Sequence, residues 1–270
     1  MVEIGVVQHI ASMWFDGPLR FVDQVCLRSM AASGMDVTLF TYGDVTNVPT
    51  GITVRDGNEI LDRSLVKRLV PIAKKAQAAW LPTVQFSDFF RVFLQKAGEE
   101  KIWLDTDVLL FQPFEFDLSQ VYFARESKVG IGASVFYLPP KHPIIAEYER
   151  LLEQDDLTPD WLEFKRRVVR PAFYKLTRTA FSPSDLGITI YGNEAFRSLA
   201  RRHGVFGQAR PKYTFYHWTG SQCEDVYKAV PWSFFYDDPK HIGLHIHKKT
   251  EDALHPEVGS LWHSAMVKYA

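Results

Sequence analysis

Apolar and polar positions along the chain fall into blocks that predict strands and helices in turn. A short apolar run at residues 3–10 predicts a buried strand, and the apolar spacing over 18–34 predicts a helix that ends at Gly34. Runs rich in β-branched residues at 36–44 and 51–56 predict the next two strands. The chain is therefore expected to begin a sheet with a helix between its first two strands.

The same pattern continues through the rest of the chain. Residues 61–98 have helical spacing with breaks at Pro71 and Pro82, and residues 142–154 have the periodicity of an amphipathic helix with proline in its first turn. The remaining predicted strands are 101–105, 121–126, 131–138, 213–218 and 242–247. This order predicts an α/β fold, a mixed central sheet flanked by helices in one domain spanning 1–270.

Composition narrows the class of protein. The formal net charge of −1 gives no global basic field, so nucleic acid is not an expected partner. The two cysteines, Cys26 and Cys223, provide no disulfide framework or zinc ribbon and favour a reducing compartment. With no signal-peptide pattern at the N-terminus and no apolar run of about 20 residues, we expect a cytoplasmic location.

The triplet Asp105-Thr106-Asp107 interrupts an apolar stretch at the end of a predicted strand. Residues two apart on a strand point to the same side, so the two carboxylates are expected to converge. Oxygen ligands of this kind suit Mg²⁺ or Mn²⁺, and ligands of α/β sheets sit beyond the carboxyl ends of the strands. The alternative is that one aspartate caps the following turn while the other is solvated.

A second polar pair precedes the triplet. Asp88 and Arg91 are three residues apart in a predicted helix and therefore share a face. They are either a surface ion pair of little energetic value or a pair that contacts the ribose and phosphates of a ligand beside the metal.

The late histidines offer a further ligand. In a strand, His245 and His247 point to one face with the spacing of metal ligands, although a single histidine is more often a hydrogen-bonded core residue. Lys248 and Lys249 follow, as a pair for neutralising phosphate or as solvated lysines.

Two further segments are candidates for contacts with a second ligand. Residues 165–178 carry six Lys or Arg together with two aromatic residues, which indicates either a solvated helix face or attachment to an anionic membrane surface or a lipid-linked molecule. Residues 182–196 follow, with Asp185 and Glu194 as candidate carboxylates for contacts with this second ligand or for the chemistry.

Two stretches resemble the glycosyltransferases of family thirty-two. Residues 87–114 are similar to the family's D-x-D region: a serine-aspartate, an arginine three residues on, then an aromatic-leucine-D-x-D. Residues 10–61 resemble the family's opening, with a tryptophan after the first strand, a Gly-Pro and a late N-E-I-L. The resemblance is clear over residues 1–150 and partial near the C-terminus. The chain departs from the pattern at Gly98-Glu99-Glu100 and in residues 130–138.

The resemblance implies a GT-A, Rossmann-like fold that binds a nucleotide-sugar and Mn²⁺ or Mg²⁺. It places donor-nucleotide binding in 1–150 and acceptor binding in 151–270. By this resemblance Asp107 ligates the metal with His245, and Asp105 reaches the ribose and the metal shell. The donor-contacting residues that it implies are Trp14, which stacks on the base, Tyr42, Asp88, Arg91 and, in competition with His245, His217.

The function implied is a retaining transfer of a hexosyl group, with a UDP-sugar favoured as donor. The expected acceptor is a cell-surface glycan or lipid-linked saccharide such as lipopolysaccharide. One alternative is a divalent-metal hydrolase that uses Asp105, Asp107 and a late histidine. The other is a protein that binds a nucleotide-sugar without catalysis. Neither a Walker loop nor a G-x-G-x-x-G motif is present.

Overall fold

A six-stranded mixed sheet forms the centre of the fold in a computed structural model, which describes residues 9–247 and 251–270. The strands in chain order are β1 (His9–Phe15), β2 (Asp36–Tyr42), β3 (Ile52–Asp56), β4 (Ile102–Leu104), β5 (Val108–Leu110), β6 (Tyr122–Arg125), β7 (Ile131–Tyr137) and β8 (Gly243–His245). The α-helices are α1 (Phe21–Ala32), α2 (Leu81–Lys96), α3 (Pro143–Leu152), α4 (Arg170–Leu176), α5 (Asn193–Arg202), α6 (Phe234–Asp237) and α7 (Leu261–Tyr269).

The strand order of the main sheet is β3-β2-β1-β4-β7-β6. Strands β3, β2, β1 and β4 run parallel, and β7 runs antiparallel to both of its neighbours. From β1 the chain first builds outward to one side through β2 and β3, then crosses to the other side at β4. The carboxyl ends of β1 and β4 therefore border the point at which strand order reverses, where open α/β sheets bind ligands.

The two faces of the sheet are buried by different elements. Alternate side chains of β1 and β2, including Met13 and Phe40, pack with Phe90 of α2 and with α3 and α5 in one core cluster. On the opposite face, Ile10 and Leu39 pack with α1 and with residues that follow β4. A third cluster joins α1, α7 and β8. This arrangement confirms the predicted α/β class with a helix-flanked mixed sheet.

A separate pair of short strands lies beside the main sheet. Strand β5 pairs antiparallel with β8, so that Val108 lies opposite His245. The ladder extends on both sides, since the Phe111 N–H donates to the Ile242 carbonyl and the Ile246 N–H donates to the Asp107 carbonyl. This pairing joins two parts of the chain that are far apart in sequence.

Several predicted elements differ from those observed. The first strand, predicted at 3–10, is observed as His9–Phe15, and residues 3–8 of the prediction lie outside the described residues. The predicted helical stretch 61–98 is observed as 3₁₀ turns at Arg63–Leu69 and Lys75–Gln77 followed by α2. Pro82 lies in the first turn of α2, where the missing N–H costs nothing, so the predicted break coincides with the start of this helix. The strand predicted at 213–218 is wrong: Phe215, Tyr216 and Trp218 are buried there, but the backbone forms a 3₁₀ turn at Lys212–Thr214. Within the described part of the chain, no helix has both the length and the apolar character needed to cross a bilayer.

Candidate functional site

A cavity of about 500 Å³ opens at the carboxyl ends of β1 and β4. Its walls come from β1, the start of β7, α2, the turn before α5 and the segment around β8. This volume lies within the range of small-molecule sites, and its location is the ligand crevice expected from the strand order. The cavity is therefore the first candidate for a functional site.

Three potential metal ligands converge in the cavity. One ligand atom from each of Asp105, Asp107 and His245 lies within 4.8 Å of the other two. The His245 Nε2 is 3.2 Å from the Asp107 Oδ1. The geometry follows from β5 and β8, because their pairing places His245 opposite Val108, directly beside the triplet. Two carboxylates and one imidazole form a donor set that suits Mn²⁺ or Mg²⁺.

Two side chains, Trp103 and Arg91, hold the Asp105 carboxylate at the end of β4. The Trp103 Nε1–H donates to the Asp105 Oδ1 at 2.6 Å, and the Arg91 Nη1 lies 3.3 Å from the same oxygen. Both contacts fall on Oδ1, and no described residue bonds Oδ2. The carboxylate is thus fixed through one oxygen and able to offer the other to a ligand.

Arg91 lies almost fully buried in α2 and orders its surroundings. Its guanidinium donates to the Ser87 carbonyl, the Ser87 hydroxyl and the Ala133 carbonyl, and it lies over the Trp103 ring. It also lies 3.4 Å from the Asp88 carboxylate. Because so many of its donors are already used within the protein, Arg91 presents a fixed positive charge at the cavity wall.

Asp88 is buried beside Arg91 and lines the same wall. Burial raises the pKa of the Asp88 carboxyl to about 7, although the Arg91 guanidinium lowers it. Gly192 packs against this carboxylate so closely that a Cβ there would lie 2.5 Å from the Asp88 Oδ1. At neutral pH, therefore, Asp88 is divided between its charged and protonated forms and presents either an acceptor or a donor to a ligand.

A hydrogen-bonded chain supports the triplet from behind. The Thr106 hydroxyl donates to the Asp23 Oδ1 at 2.6 Å, and the Arg20 Nε donates to the Asp23 Oδ2 at 2.6 Å. The Arg20 guanidinium in turn lies 5.1 Å from the centre of the Trp14 ring. Trp14, at the carboxyl end of β1, is half-buried and lines the cavity. One polar chain thus links the triplet to the aromatic wall.

Beside His245 lies a polar cluster that includes Glu126 and Asn193, two residues for which the sequence predicted no role. Asn193 donates from its Nδ2 to the Glu126 Oε2 at 2.7 Å and accepts from the Ala133 N–H at 3.1 Å. The His247 Nε2 lies 3.2 Å from the His245 Nδ1 and 3.9 Å from the Glu126 Oε1. Glu126 follows β6 directly, so its position at the end of a predicted strand was the signal available in the sequence.

Among the residues that the structure describes, the cavity lining carries more negative than positive formal charge. It contains four carboxylates and two guanidiniums, namely Asp88, Asp105, Asp107, Glu126, Arg20 and Arg91. A diphosphate would be repelled by such a lining unless a divalent cation accompanied it. This excess of carboxylates therefore favours a bound cation in the cavity.

The structure brings most of the predicted site residues together. Those that line this one cavity are Trp14, Asp88, Arg91, Asp105, Asp107, His245 and His247. Lys248 and Lys249 lie outside the described residues. From the predicted acceptor segment 182–196, the cavity includes Ile188, Thr189, Gly192 and Asn193.

Tyr42 does not line the cavity, contrary to the prediction. Its ring is fully buried against Phe15, with the ring centres 4.6 Å apart. Its hydroxyl donates to the carbonyls of Gly57 and Leu61, which ties β2 to the segment after β3. The apolar core needs a large ring at this position, so Tyr42 is a core residue.

Asp185 and Glu194 are also directed elsewhere. Asp185 accepts from the backbone N–H groups of residues 72–74 and of Ser182. Burial raises the pKa of Asp185, but these hydrogen bonds outweigh it and lower the pKa overall. Glu194 pairs with Arg166. Both carboxylates are occupied by the protein itself, so neither faces the cavity.

His217 lies in an aromatic cluster instead of the cavity. Its ring centre is 5.0 Å from that of Phe235 and 5.3 Å from that of His241. Burial is the main cause that lowers the pKa of His217, which favours the neutral ring. Of the two late histidines that competed for the site, only His245 reaches the triplet.

Comparison with known proteins adds little to this geometry. No family model and no curated protein matches the chain, so the resemblance to family thirty-two stays a prediction. Among solved structures, the PaToxG glycosyltransferase is similar at 11% sequence identity, over 73% of this chain and 70% of that chain, with a TM-score of 0.42. A likeness at this level leaves the function to be argued from the site itself.

Proposed function

We propose that the chain is a divalent-metal-dependent, retaining glycosyltransferase whose donor is a nucleotide-sugar, with a UDP-sugar favoured. The observation that carries the proposal is the convergence of Asp105, Asp107 and His245 in a cavity that also contains an aromatic wall at Trp14. Retention of configuration and the choice of UDP come from the sequence resemblance.

The metal fits the residues that would hold it. Asp107 and His245 are the ligand candidates, with the Asp105 carboxylate beside them. When bound, Mn²⁺ or Mg²⁺ would supply charge neutralisation for a diphosphate leaving group. Among the described lining residues, carboxylates outnumber guanidiniums, and this supports the reading because such a lining needs a cation before it can hold a diphosphate.

The protein's own residues divide the remaining work. Trp14 offers an indole face for stacking on a base, with the Arg20 guanidinium near the ring. Asp88 and Arg91 form the wall that we assign to the donor sugar or ribose. Because Arg91 is fixed by its bonds to Ser87 and Ala133, it orients Asp88 and Asp105 without needing to move when the ligand binds.

The acceptor side is assigned to the turn before α5. Thr189, Gly192 and Asn193 line the cavity there, together with exposed Ile188. These neutral polar and apolar groups suit a saccharide better than a charged acceptor. We assign the acceptor to the class of cell-surface glycans or lipid-linked saccharides such as lipopolysaccharide.

A donor panel tests the proposal. UDP- and GDP-sugars are titrated into the protein by calorimetry with and without Mn²⁺, and donor hydrolysis is followed in the same mixtures. We expect one donor to bind in a metal-dependent manner. Asp107→Asn keeps the size of the side chain but removes its charge, so metal-dependent tightening should vanish and turnover should fall roughly a thousandfold, the equivalent of about 4 kcal/mol.

Asp155→Asn is the matched control, because Asp155 is exposed and does not line the cavity. It should bind and turn over like the wild type. If no donor binds with any metal, or if Asp107→Asn lowers only the melting temperature and leaves turnover normal, the triplet is a structural cap and the proposal fails. Metal-dependent hydrolysis of substrates that lack a nucleotide would favour the hydrolase alternative.

A further inference from the structure

A row of exposed apolar side chains runs along the segment 164–176. Phe164 is 67% exposed, Phe173 61% and Leu176 84%, and Val168 and Val169 between them are 43% and 48% exposed. Single exposed apolar residues are ordinary on protein surfaces, but a contiguous group marks an interaction surface. We call these five residues the apolar row.

The local backbone makes the row continuous. Lys165–Val169 forms a π-helical turn that runs directly into α4. Phe164 and Val168, Val169 and Phe173, and Phe173 and Leu176 are each three or four residues apart, so the members of each pair lie on the same side of the segment. None of the residues of this segment is buried. The side that would normally pack on a core therefore faces outward.

Positive charge accompanies the apolar row. Between Phe164 and Arg178 the sequence has six Lys or Arg and no Asp or Glu. Among the described residues, only Arg166 of these six has a carboxylate partner, Glu194. Arg167 and Arg170 donate to the backbone carbonyls of Asp160 and Leu186. Since the whole chain has a net charge of −1, the positive charge is concentrated at this surface.

The segment borders the mouth of the cavity. The Arg170 Nη1 donates to the Leu186 carbonyl at 2.8 Å, and a Cβ at Gly187 would lie 3.2 Å from the Arg166 Nη1. The residues that follow, Ile188 and Thr189, line the cavity, and Ile188 is 44% exposed. The apolar row and the assigned acceptor side therefore adjoin each other.

We propose that the apolar row and its flanking Lys and Arg residues dock this protein onto a bilayer that contains anionic lipids. Apolar side chains of an interfacial helix enter the boundary between headgroups and acyl chains, while cations contact the headgroups. The charge of the segment favours a membrane over a protein as the partner. An apolar row alone would fit a protein groove, whereas Lys and Arg residues without any Asp or Glu between them complement an anionic surface. Docking would present the cavity mouth to an acceptor held in the membrane, and this consequence alone rests on the proposed function.

Vesicle sedimentation tests the docking. The wild-type protein is mixed with vesicles of phosphatidylcholine alone, or of phosphatidylcholine with phosphatidylglycerol, at low and high salt. We expect binding to the anionic vesicles that weakens with salt. The double variant F173E/L176E should lower the partition coefficient roughly tenfold or more, since two side chains that leave water on docking are made acidic.

The matched control is V258E/V267E, because Val258 and Val267 are exposed apolar residues outside the segment, 80% and 77% exposed. It should bind vesicles like the wild type. A second variant, K165Q/K175Q/R178Q, keeps the apolar row and should lose the preference for anionic vesicles. Circular dichroism checks that each variant is folded.

Three results would overturn the docking: no binding by the wild type, equal binding to neutral and anionic vesicles, or equal loss in F173E/L176E and V258E/V267E. A shift from dimer to monomer in F173E/L176E without vesicle binding by the wild type would instead assign the row to self-association. Hydrolysis of the nucleotide-sugar in solution, measured on the same proteins, separates the two proposals. Its absence throughout would count against the transferase while leaving the vesicle result intact.

Discussion

Asp88 is a carboxyl group whose protonation is set by burial. Its pKa is raised to about 7 from 3.8, chiefly by burial and against the opposing effect of Arg91. Between these values the folded protein keeps a proton that the unfolded chain releases. Its contribution to the free energy of unfolding is therefore greatest below about pH 4 and is lost as pH rises toward 7.

Asp88→Asn should remove this pH dependence, because an amide resembles the protonated acid and cannot ionise. We expect the free energy of unfolding of the metal-free wild type to fall by a few kcal/mol more between pH 4 and pH 8 than that of the variant. Urea denaturation across this range measures the difference, with Asp155→Asn expected to follow the wild type. Identical slopes for Asp88→Asn and wild type would show that Asp88 is ionised throughout.

Trp14 carries the second prediction at this scale. If a base stacks on the indole, Trp14→Ala should weaken nucleotide binding by roughly 1–3 kcal/mol in calorimetry. Trp80→Ala is the control, since Trp80 is exposed and does not line the cavity. If a folded Trp14→Ala variant binds the nucleotide with unchanged affinity, Trp14 has no role in binding and serves only the core, against which it partly packs.

At the residue scale, the sequence predicts site residues best when several of them lie together in one short motif. Asp105 and Asp107 were predicted as a pair because the triplet interrupts an apolar stretch. The sequence around Asp185 and Glu194 does not show their roles. Only the fold shows that backbone N–H groups donate to Asp185 and that Arg166 pairs with Glu194. Glu126 belongs to no such motif, and a single carboxylate after a strand is too common a feature to predict a site.

At the element scale, the position of His245 depends on the close fit between β5 and β8. A Cβ at Gly243 would lie 2.8 Å from the Leu109 carbonyl oxygen and 3.1 Å from the Phe215 ring. Both atoms belong to well-buried parts of the structure, so neither can give way easily. The glycine is therefore needed for β8 to approach β5.

Gly243→Ala should push β8 away from β5 and move His245 from Asp107. We expect Mn²⁺ affinity, measured by calorimetry, to fall together with a loss of stability of about 1–3 kcal/mol from overpacking. Gly207→Ala is the matched control, because nothing lies within 4 Å of a Cβ at that position. Wild-type metal affinity in Gly243→Ala would show that His245 is positioned by something other than this strand pair.

Long, periodic elements were predictable and short ones were not. Helices α1 and α3 have regular apolar spacing over three turns, which a sequence shows directly. Strand β5 has three residues and no alternation, so its existence depends on β8, a partner more than a hundred residues away. Residues 213–218 have the aromatic content typical of a strand. Phe215, Tyr216 and Trp218 are nevertheless buried without the backbone forming a strand.

At the scale of the whole molecule, ligand binding should stabilise the fold. A nucleotide-sugar and Mn²⁺ present together at one hundred times the dissociation constant would add about 2.7 kcal/mol to the free energy of unfolding. For a chain of 270 residues this corresponds to a rise in melting temperature of roughly 5 °C. Scanning fluorimetry checks it, and Asp107→Asn should show no additional rise with the metal. If the melting temperature of the wild type does not change when the ligands are added, the proposed binding site is contradicted.

The pairing of β5 with β8 also has a consequence for biosynthesis. Asp107 is made early and His245 late, separated by roughly 140 residues, so their encounter is a contact of high sequence separation that forms after most of the chain has been made. A nascent or truncated chain that has folded only the main sheet has the two aspartates without their imidazole partner. Tight metal uptake would then mark a finished molecule, and incomplete chains would not compete with it for the cell's divalent cations.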